Sequence, residues 1–248
     1  VTTASSHKPN AQYNTAAPDS LVIRVTAAMR RRMYETFIKI CSPSPVEKIL
    51  DVGVTSDQTY QSSNYLEAWY PNKAAITACG IDDASFLEAL YPGLVFVPAD
   101  AKNLPFADST FDLVHSSAVI EHVGSRDQQR QFIAELVRVA KRSVCLTTPN
   151  RWFPIEVHTS IPLLHWLPVK IYRSLLSRIG YRFFANEENL NLLSANDLVT
   201  ICEELEIADF KIRRMRLLGW TSNLVLFIDK PVENRQFHQA GTCGQKSR

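Results

Sequence analysis

Apolar residues fall along this chain in two rhythms. The first is helical. Val22, Val25, Met29, Met33, Phe37 and Ile40 recur at three- and four-residue steps, which predicts an amphipathic helix over Leu21–Ile40. Asp19 and Ser20 offer its N-cap, and the two prolines of Cys41–Pro45 stop it. The second rhythm is the short apolar run that closes on an acidic residue. Val46–Val52 is the first such strand, and its end, KILDVG (Lys48–Gly53), puts Asp51 at a strand tip beside Gly53. Ala75–Ile81 is the second, closing on Gly80-Ile81-Asp82-Asp83, and Leu94–Pro98 the third, closing on Ala99-Asp100. A fourth opens at Leu113-Val114 and runs toward Ser117; Ser143–Thr148, rich in β-branched residues, is the fifth. Between them lie a short helix ending at Trp69, which Asn64 and Glu67 are spaced to cap as a box, a second over Ala84–Leu90, and a third over Gln128–Ala140 with Phe132, Leu136 and Val139 on one face. Strands alternating with helices predict a Rossmann-like α/β fold, a doubly wound parallel sheet between two helical layers.

Thr148–Pro168 breaks that order with four prolines, two tryptophans and two histidines in 21 residues. A connection this long inside such a fold is typically functional. Val169–Ile179 reads as a helix with Lys170, Arg173 and Arg178 on its polar side, and Ser194 caps another, with Asp197 at its third position, that runs to Glu206. Phe210–Leu217 and Asn223–Ile228, separated by GWTS, predict an antiparallel pair at one sheet edge, giving seven strands in all with one antiparallel edge strand. The predicted organisation is a flexible tail over residues 1–18, one domain over 19–230 in which 149–190 is a covering insertion, and a disordered tail over 231–248.

A formal net charge of +2 provides no overall field toward nucleic acid. The four arginines of the first helix, Arg24, Arg30, Arg31 and Arg32, read either as a solvated face or as an anion-facing lid. Cys41, Cys79, Cys145, Cys202 and Cys243 are odd in number and far apart, which predicts free thiols in a reducing compartment; no Cys or His spacing predicts a metal site. The first residues lack the apolar centre of a signal peptide, and no apolar run reaches the ~20 residues of a membrane span, so a cytoplasmic chain is expected.

In ILDVG (49–53), GID (80–82), AD (99–100), LPFADSTFDLV (104–114) and VIEHV (119–123), taken in order, the chain resembles the class I S-adenosylmethionine-dependent methyltransferases, in particular the type 11 group. The resemblance covers residues 46–150 closely and the later strands loosely. It implies S-adenosylmethionine as cofactor. Asp51 then faces the ammonium of its methionine part, Gly53 leaves room in the first loop, and Asp82 accepts from the ribose hydroxyls as carboxylates do at this place in dinucleotide folds. Asp100 accepts from the adenine amino group, the Ala101 N–H faces a ring nitrogen, and Ser116 with Ser117 lies under the sulfonium. The family's first loop carries two or three glycines, whereas Gly53 here is followed by VTSDQT, with Thr55, Ser56 and Asp57 as replacement polar contacts.

Methyl transfer is an in-line displacement that needs a base only where the acceptor must lose a proton. Glu121, His122 and His158 are the candidate catalytic residues, with Glu156 and His165 as further candidates; His165 reads better as a packed residue. Trp152, Phe153, Ile161, Leu163, Leu164 and Trp166 read equally as an apolar acceptor pocket or as a small second core. The expected partner is a small-molecule acceptor: an apolar or aromatic metabolite, a quinone or a lipid-linked sugar. Peripheral membrane contact through the basic helix fits the same pattern, and the sequence leaves the oligomeric state open. The glycine-poor loop supports one alternative, a non-catalytic protein of this fold that binds a partner or a nucleotide. A nucleic-acid methyltransferase lacks its [DNS]PP[YFW] motif here, and a nicotinamide oxidoreductase lacks the phosphate-binding glycines.

Overall fold

Ile49–Val52 (β1) is buried at every position, which requires cover on both faces of the sheet. The computed structural model describes residues 20–60 and 62–231, and supplies that cover. Ser20 accepts from the Ile23 N–H and opens helix α1 (Leu21–Cys41), which ends where Ser42 turns left-handed and donates to the Ile38 carbonyl. Asp19, the tail over 1–18 and all of 231–248 except Pro231 lie outside the described residues. The chain then runs β1, α2 (Tyr65–Trp69), β2 (Ile76–Gly80), α3 (Phe86–Leu90), β3 (Val95–Pro98), β4 (Phe111–Ser117), α4 (Arg126–Val139) and β5 (Ala140–Pro149). After the irregular cover come α5 (Val169–Arg178), α6 (Arg182–Ala185), α7 (Ala195–Glu204), β6 (Phe210–Leu217) and β7 (Trp220–Asp229).

The seven strands form one sheet in the order β3-β2-β1-β4-β5-β7-β6. All neighbours are parallel except that β7 runs against both β5 and β6. The reversed strand therefore belongs to the edge pair, but β6, not β7, is outermost. Alternation along the strands feeds two cores. Leu50, Val114, Leu224 and Leu226 pack with Phe132 and Leu136 of α4 and Ile201 of α7. Ile49, Leu113, Val225 and Phe227 pack with Met33 and Phe37 of α1, Leu66 of α2 and Leu87 of α3. Period two puts Asp51 on the side of Ile49, facing α1 and α2.

Several element boundaries shift for local reasons. Val46 is 88 % exposed in a turn, so β1 starts at Ile49. Asn64 does not box α2; its side chain accepts from the Thr55 N–H and donates to the Thr55 carbonyl, bracing the loop instead. Asp83 accepts from the Ser85 N–H, which delays α3 to Phe86. Ser125 and Gln128 form a capping box and start α4 two residues early. The hairpin turn is Leu218-Gly219, both at positive φ, rather than GWTS, so Trp220–Ser222 lie in β7. The helix α6 has no counterpart in the sequence reading. Lys141 and Arg142 lengthen β5 at its start, where Arg142 donates to both oxygens of Glu47 and to the Cys41 carbonyl.

Cys41, Cys79, Cys145 and Cys202 are buried and free. Burial pushes the Cys41 and Cys79 thiols up to about 12, so they are packing groups. Among the described residues, no helix is long and apolar enough to cross a membrane.

Arg138 at the end of α4 donates to the Leu104 and Phe106 carbonyls and to Asp108 and Glu135, pinning the loop between β3 and β4. Arg138→Met is expected to cost ~1.5–3 kcal/mol, the scale of hydrogen bonds to charged groups. Arg138→Lys should recover less than half, because an ammonium cannot reproduce the planar fork. Urea midpoints at unchanged slope measure both.

Candidate active site

The strand order reverses between β1 and β4, and the ends of these strands form the crevice where open α/β sheets bind ligands. A small recess opens there, lined by Asp51, Gly53, Asn64, Tyr65, His115 and Ser117. Gly53 sits at φ +94°, and a Cβ there would stand 2.2 Å from the Val119 side chain. Its missing side chain thus admits the turn after β4 as well as the loop. The loop that lacks glycines holds two buried hydroxyls, Ser56 Oγ and Ser63 Oγ, with no partner among the described residues. Asp57 accepts from the Thr59 N–H, and the Thr55 hydroxyl from the Asp57 N–H. Arg30 turns inward from α1, donates to Ser62 Oγ and faces Asp57, while Arg24, Arg31 and Arg32 stay exposed.

Asp51 is 7 % exposed, and its Oδ1 accepts from His115 Nδ1 at 2.7 Å. His115 Nε2 in turn meets the Tyr65 hydroxyl at 3.0 Å. Burial lowers His115 to about 4, so the ring is neutral: Tyr65 donates to Nε2 and Nδ1–H donates to Asp51. Glu67, wholly buried on α2, is pushed well above the carboxylate range by burial and by the Asp51 charge beside it. Burial also raises Asp51, to about 7, against the hydrogen bond from Glu67. Glu67 therefore keeps its proton and donates it to Asp51. Sequence spacing did not single out His115 or Glu67 for this network. His115 left a trace, as a histidine inside the apolar run FDLVHSS; Glu67 left none.

Asp82 and Asp100 stand at the neighbouring tips of β2 and β3, which pair Gly80 with Pro98. Asp82 makes no hydrogen bond or ion pair among the described residues, since the turn is served by Asp83. Asp100 is exposed, accepts from the Lys102 N–H and lies 3.7 Å from its ammonium. The Ala101 N–H has no partner among the described residues. Ser116 is not brought to the recess: its hydroxyl is buried and donates to the Val52 carbonyl, whereas Ser117 lines the recess and meets Thr147.

A second group forms where the turn after β4 meets the cover segment. His122 Nε2 and His158 Nε2 are 3.1 Å apart, although 36 positions separate them. His122 Nδ1 donates to the Asn189 carbonyl at 2.7 Å. His158 Nδ1 donates to Glu156 at 2.6 Å, and Glu156 also takes the His158 and Thr159 N–H groups and the Thr159 hydroxyl. Burial opposes charge on His158, but the bond and charge of Glu156, with Glu121 behind, raise it above ordinary imidazole. Burial and the His158 charge hold His122 down to about 3. Burial lifts Glu121 to about 7; its Oε2 accepts from Thr148, while its Oε1 is buried without a partner. His165 is packed, its Nε2 donating to the Phe153 carbonyl. The aromatic cover is divided: Ile161 and Leu164 join a small core with Tyr172, Leu176 and Phe184, while Trp152 and Leu163 are about half exposed.

Residues 50–146 match a family described as a methyltransferase domain. Methyltransferase GfsG of Streptomyces halstedii is 26 % identical over 191 residues, 73 % of this chain and 66 % of its own length. The demethylmenaquinone methyltransferase of Roseiflexus sp. (strain RS-1) is 26 % identical over 138 residues, 53 % of this chain and 55 % of its own. The chain thus spans just under two thirds and just over half of these curated relatives. A SAM-dependent methyltransferase structure from Thermotoga maritima, described as a possible histamine N-methyltransferase, superposes with a TM-score of 0.55 at 14 % identity, covering 85 % of this chain and 92 % of its own. The chain has the class I S-adenosylmethionine-dependent methyltransferase fold.

Glu67 holds its proton in the folded chain at pH values where the unfolded chain, with a pKa of ~4.3, has lost it. Its contribution to stability is full below that value and drains away as pH rises toward the folded pKa. Glu67→Gln keeps a donor to Asp51 without titrating. The melting temperature of the unaltered protein should therefore fall more between pH 5 and pH 8 than that of the variant; equal slopes would place the proton elsewhere.

Proposed function

We propose that this chain is an S-adenosylmethionine-dependent methyltransferase acting on a small molecule, with the methyl moved in line between the strand tips and the cover segment. One observation carries the donor side: at adjacent strand tips, Asp82 and the Ala101 N–H both lack partners among the described residues, where a ribose and an adenine have to be recognised. Bound there, the cofactor supplies a methyl activated on a sulfonium. Asp82 accepts from the ribose hydroxyls; Asp100 and Ala101 meet the base; Asp51, Gly53 and the buried hydroxyls of Ser56 and Ser63 receive the methionine part. Ser117, rather than Ser116, borders the sulfonium.

The acceptor lies under residues 149–190. Exposed Trp152 and Leu163 suit an apolar or aromatic molecule, a quinone or a lipid-linked sugar, and one relative is named for a demethylated menaquinone. Where the acceptor must lose a proton, it does so at Glu121, His122 and His158, of which His122 is the least buried. Glu156 holds His158 in place for this.

Asp82→Ala should weaken S-adenosylhomocysteine binding by ~1.5–3 kcal/mol, read by calorimetry; unchanged affinity refutes the ribose assignment. In turnover assays with quinol, phenol and lipid-linked sugar acceptors, His122→Ala should lower kcat by ~10²–10⁴ with cofactor affinity unchanged. Cofactor binding without turnover on any acceptor class would favour a non-catalytic protein of this fold.

A further inference from the structure

The meeting of His122 and His158 poses a question of lone pairs. Each ring spends its Nδ1–H on an oxygen, His122 on the Asn189 carbonyl and His158 on Glu156. When both rings are neutral, each Nε2 presents a lone pair, and the two face one another at 3.1 Å. Something positive has to lie between them, either a proton or a cation. Two further observations favour the cation. Glu121 is wholly buried with its Oε1 lacking a partner among the described residues, and its carboxylate belongs to the same group: one ligand atom from each of Glu121, His122 and His158 lies within 4.8 Å of the others. The distance between the nitrogens also fits, since two imidazoles each ~2.0–2.1 Å from one ion sit roughly 3.0–3.4 Å apart.

We propose that Glu121, His122 and His158 bind a first-row divalent cation of the zinc or ferrous class. Two imidazoles and one carboxylate are a donor set those ions take, with positions left open. The outer contacts are in place as well. Glu156 orients His158, the Asn189 carbonyl orients His122, and Thr148 holds the other oxygen of Glu121. Metal-binding histidines are oriented in this way through the nitrogen that does not ligate. The three ligands come from the turn after β4 and from the cover segment, so the ion also ties these two parts together.

The site stands on its own geometry, while its role rests on the methyltransferase reading above. In that role an acceptor hydroxyl takes an open position on the ion. Its O–H bond breaks, the proton leaves to solvent, and the oxygen is held as an anion. The new O–CH₃ bond then forms as the S–CH₃ bond breaks, leaving the neutral thioether. The ion makes the acceptor more acidic, so no imidazole has to be a strong base.

The test is metal uptake by the full chain after dialysis against a chelator, titrated with Zn²⁺ and with Co²⁺ and followed by calorimetry and elemental analysis. One ion per chain is expected. His122→Ala and His158→Ala should each weaken it at least a hundredfold, and Glu156→Gln should weaken it ~10–100-fold as an outer-contact change. Glu121→Gln keeps the size of the side chain and should also weaken binding, which guards against variants that fail to fold; His165→Ala should change nothing. Absence of stoichiometric uptake, or uptake that survives loss of both histidines, overturns the proposal. S-adenosylhomocysteine binding to the chelated protein separates the two readings. If it binds where no ion does, only the metal site falls; if ions bind and it does not, the metal site stands and the methyltransferase reading falls.

Discussion

Asp51 and Glu67 lie side by side beneath the loop that follows β1, and the recess at the end of β1 depends on there being only one negative charge between them. An unpaired buried carboxylate is far too costly to keep, and two adjacent ones are worse. The chain answers with a proton on Glu67 and with two neutral donors in series, Tyr65 to His115 and His115 to Asp51. That arrangement explains α2. Five residues cannot hold a helix by themselves, yet Tyr65, Leu66 and Glu67 are all buried against the sheet and the network. It also explains how a loop with so little glycine keeps its shape. Asn64, at the foot of α2, brackets Thr55 from both sides, so side-chain bonds replace backbone freedom.

At the other end, the turn after β4 is stitched to the residues before α7. Asn191 donates its N–H to the Glu121 carbonyl and its amide to Gly124, and Gln129 donates to Ile120 and Asn191. Glu121 and His122 are therefore placed by contacts to residues about seventy positions away. His158 arrives from a third direction, on a tight turn that Glu156 builds by accepting from the backbone and hydroxyl groups that follow it.

This division sets what could be read from sequence. The strands and their tips were legible because each is local: an apolar run, an acidic residue and a glycine within a few positions. The first three strands, with Asp51, Asp82 and Asp100 at their tips, follow from that, and the other four from apolar or β-branched runs. Boundaries slipped where a side chain took a backbone job, as Asn64 did at Thr55 and Asp83 at Ser85. Ser116 and Ser117 could not be told apart, because strand alternation turns one inward to Val52 and the other to the recess. The meeting of His122 with His158 has no local signature at all. It arises from the path of the cover segment, and only the fold brings those imidazoles together.

The two ends differ in how their polar groups are kept. Asp82, at a partly exposed strand tip, has no partner among the described residues, so it loses little by exchanging water for a ligand. Glu121, His122, His158 and Glu156 are fixed before any ligand arrives, each by at least one hydrogen bond of 2.9 Å or less. Binding tolerates adjustment, since its free energy is collected over many contacts. Reaction does not, because groups aimed at a developing charge are worth most when nothing has to reorganise as it appears. The chain thus leaves polar groups free at the strand tips and holds them fixed where the turn after β4 meets the cover segment. The long connection after β5 is what makes the second possible: without it, the turn after β4 would present one histidine to solvent rather than two to each other.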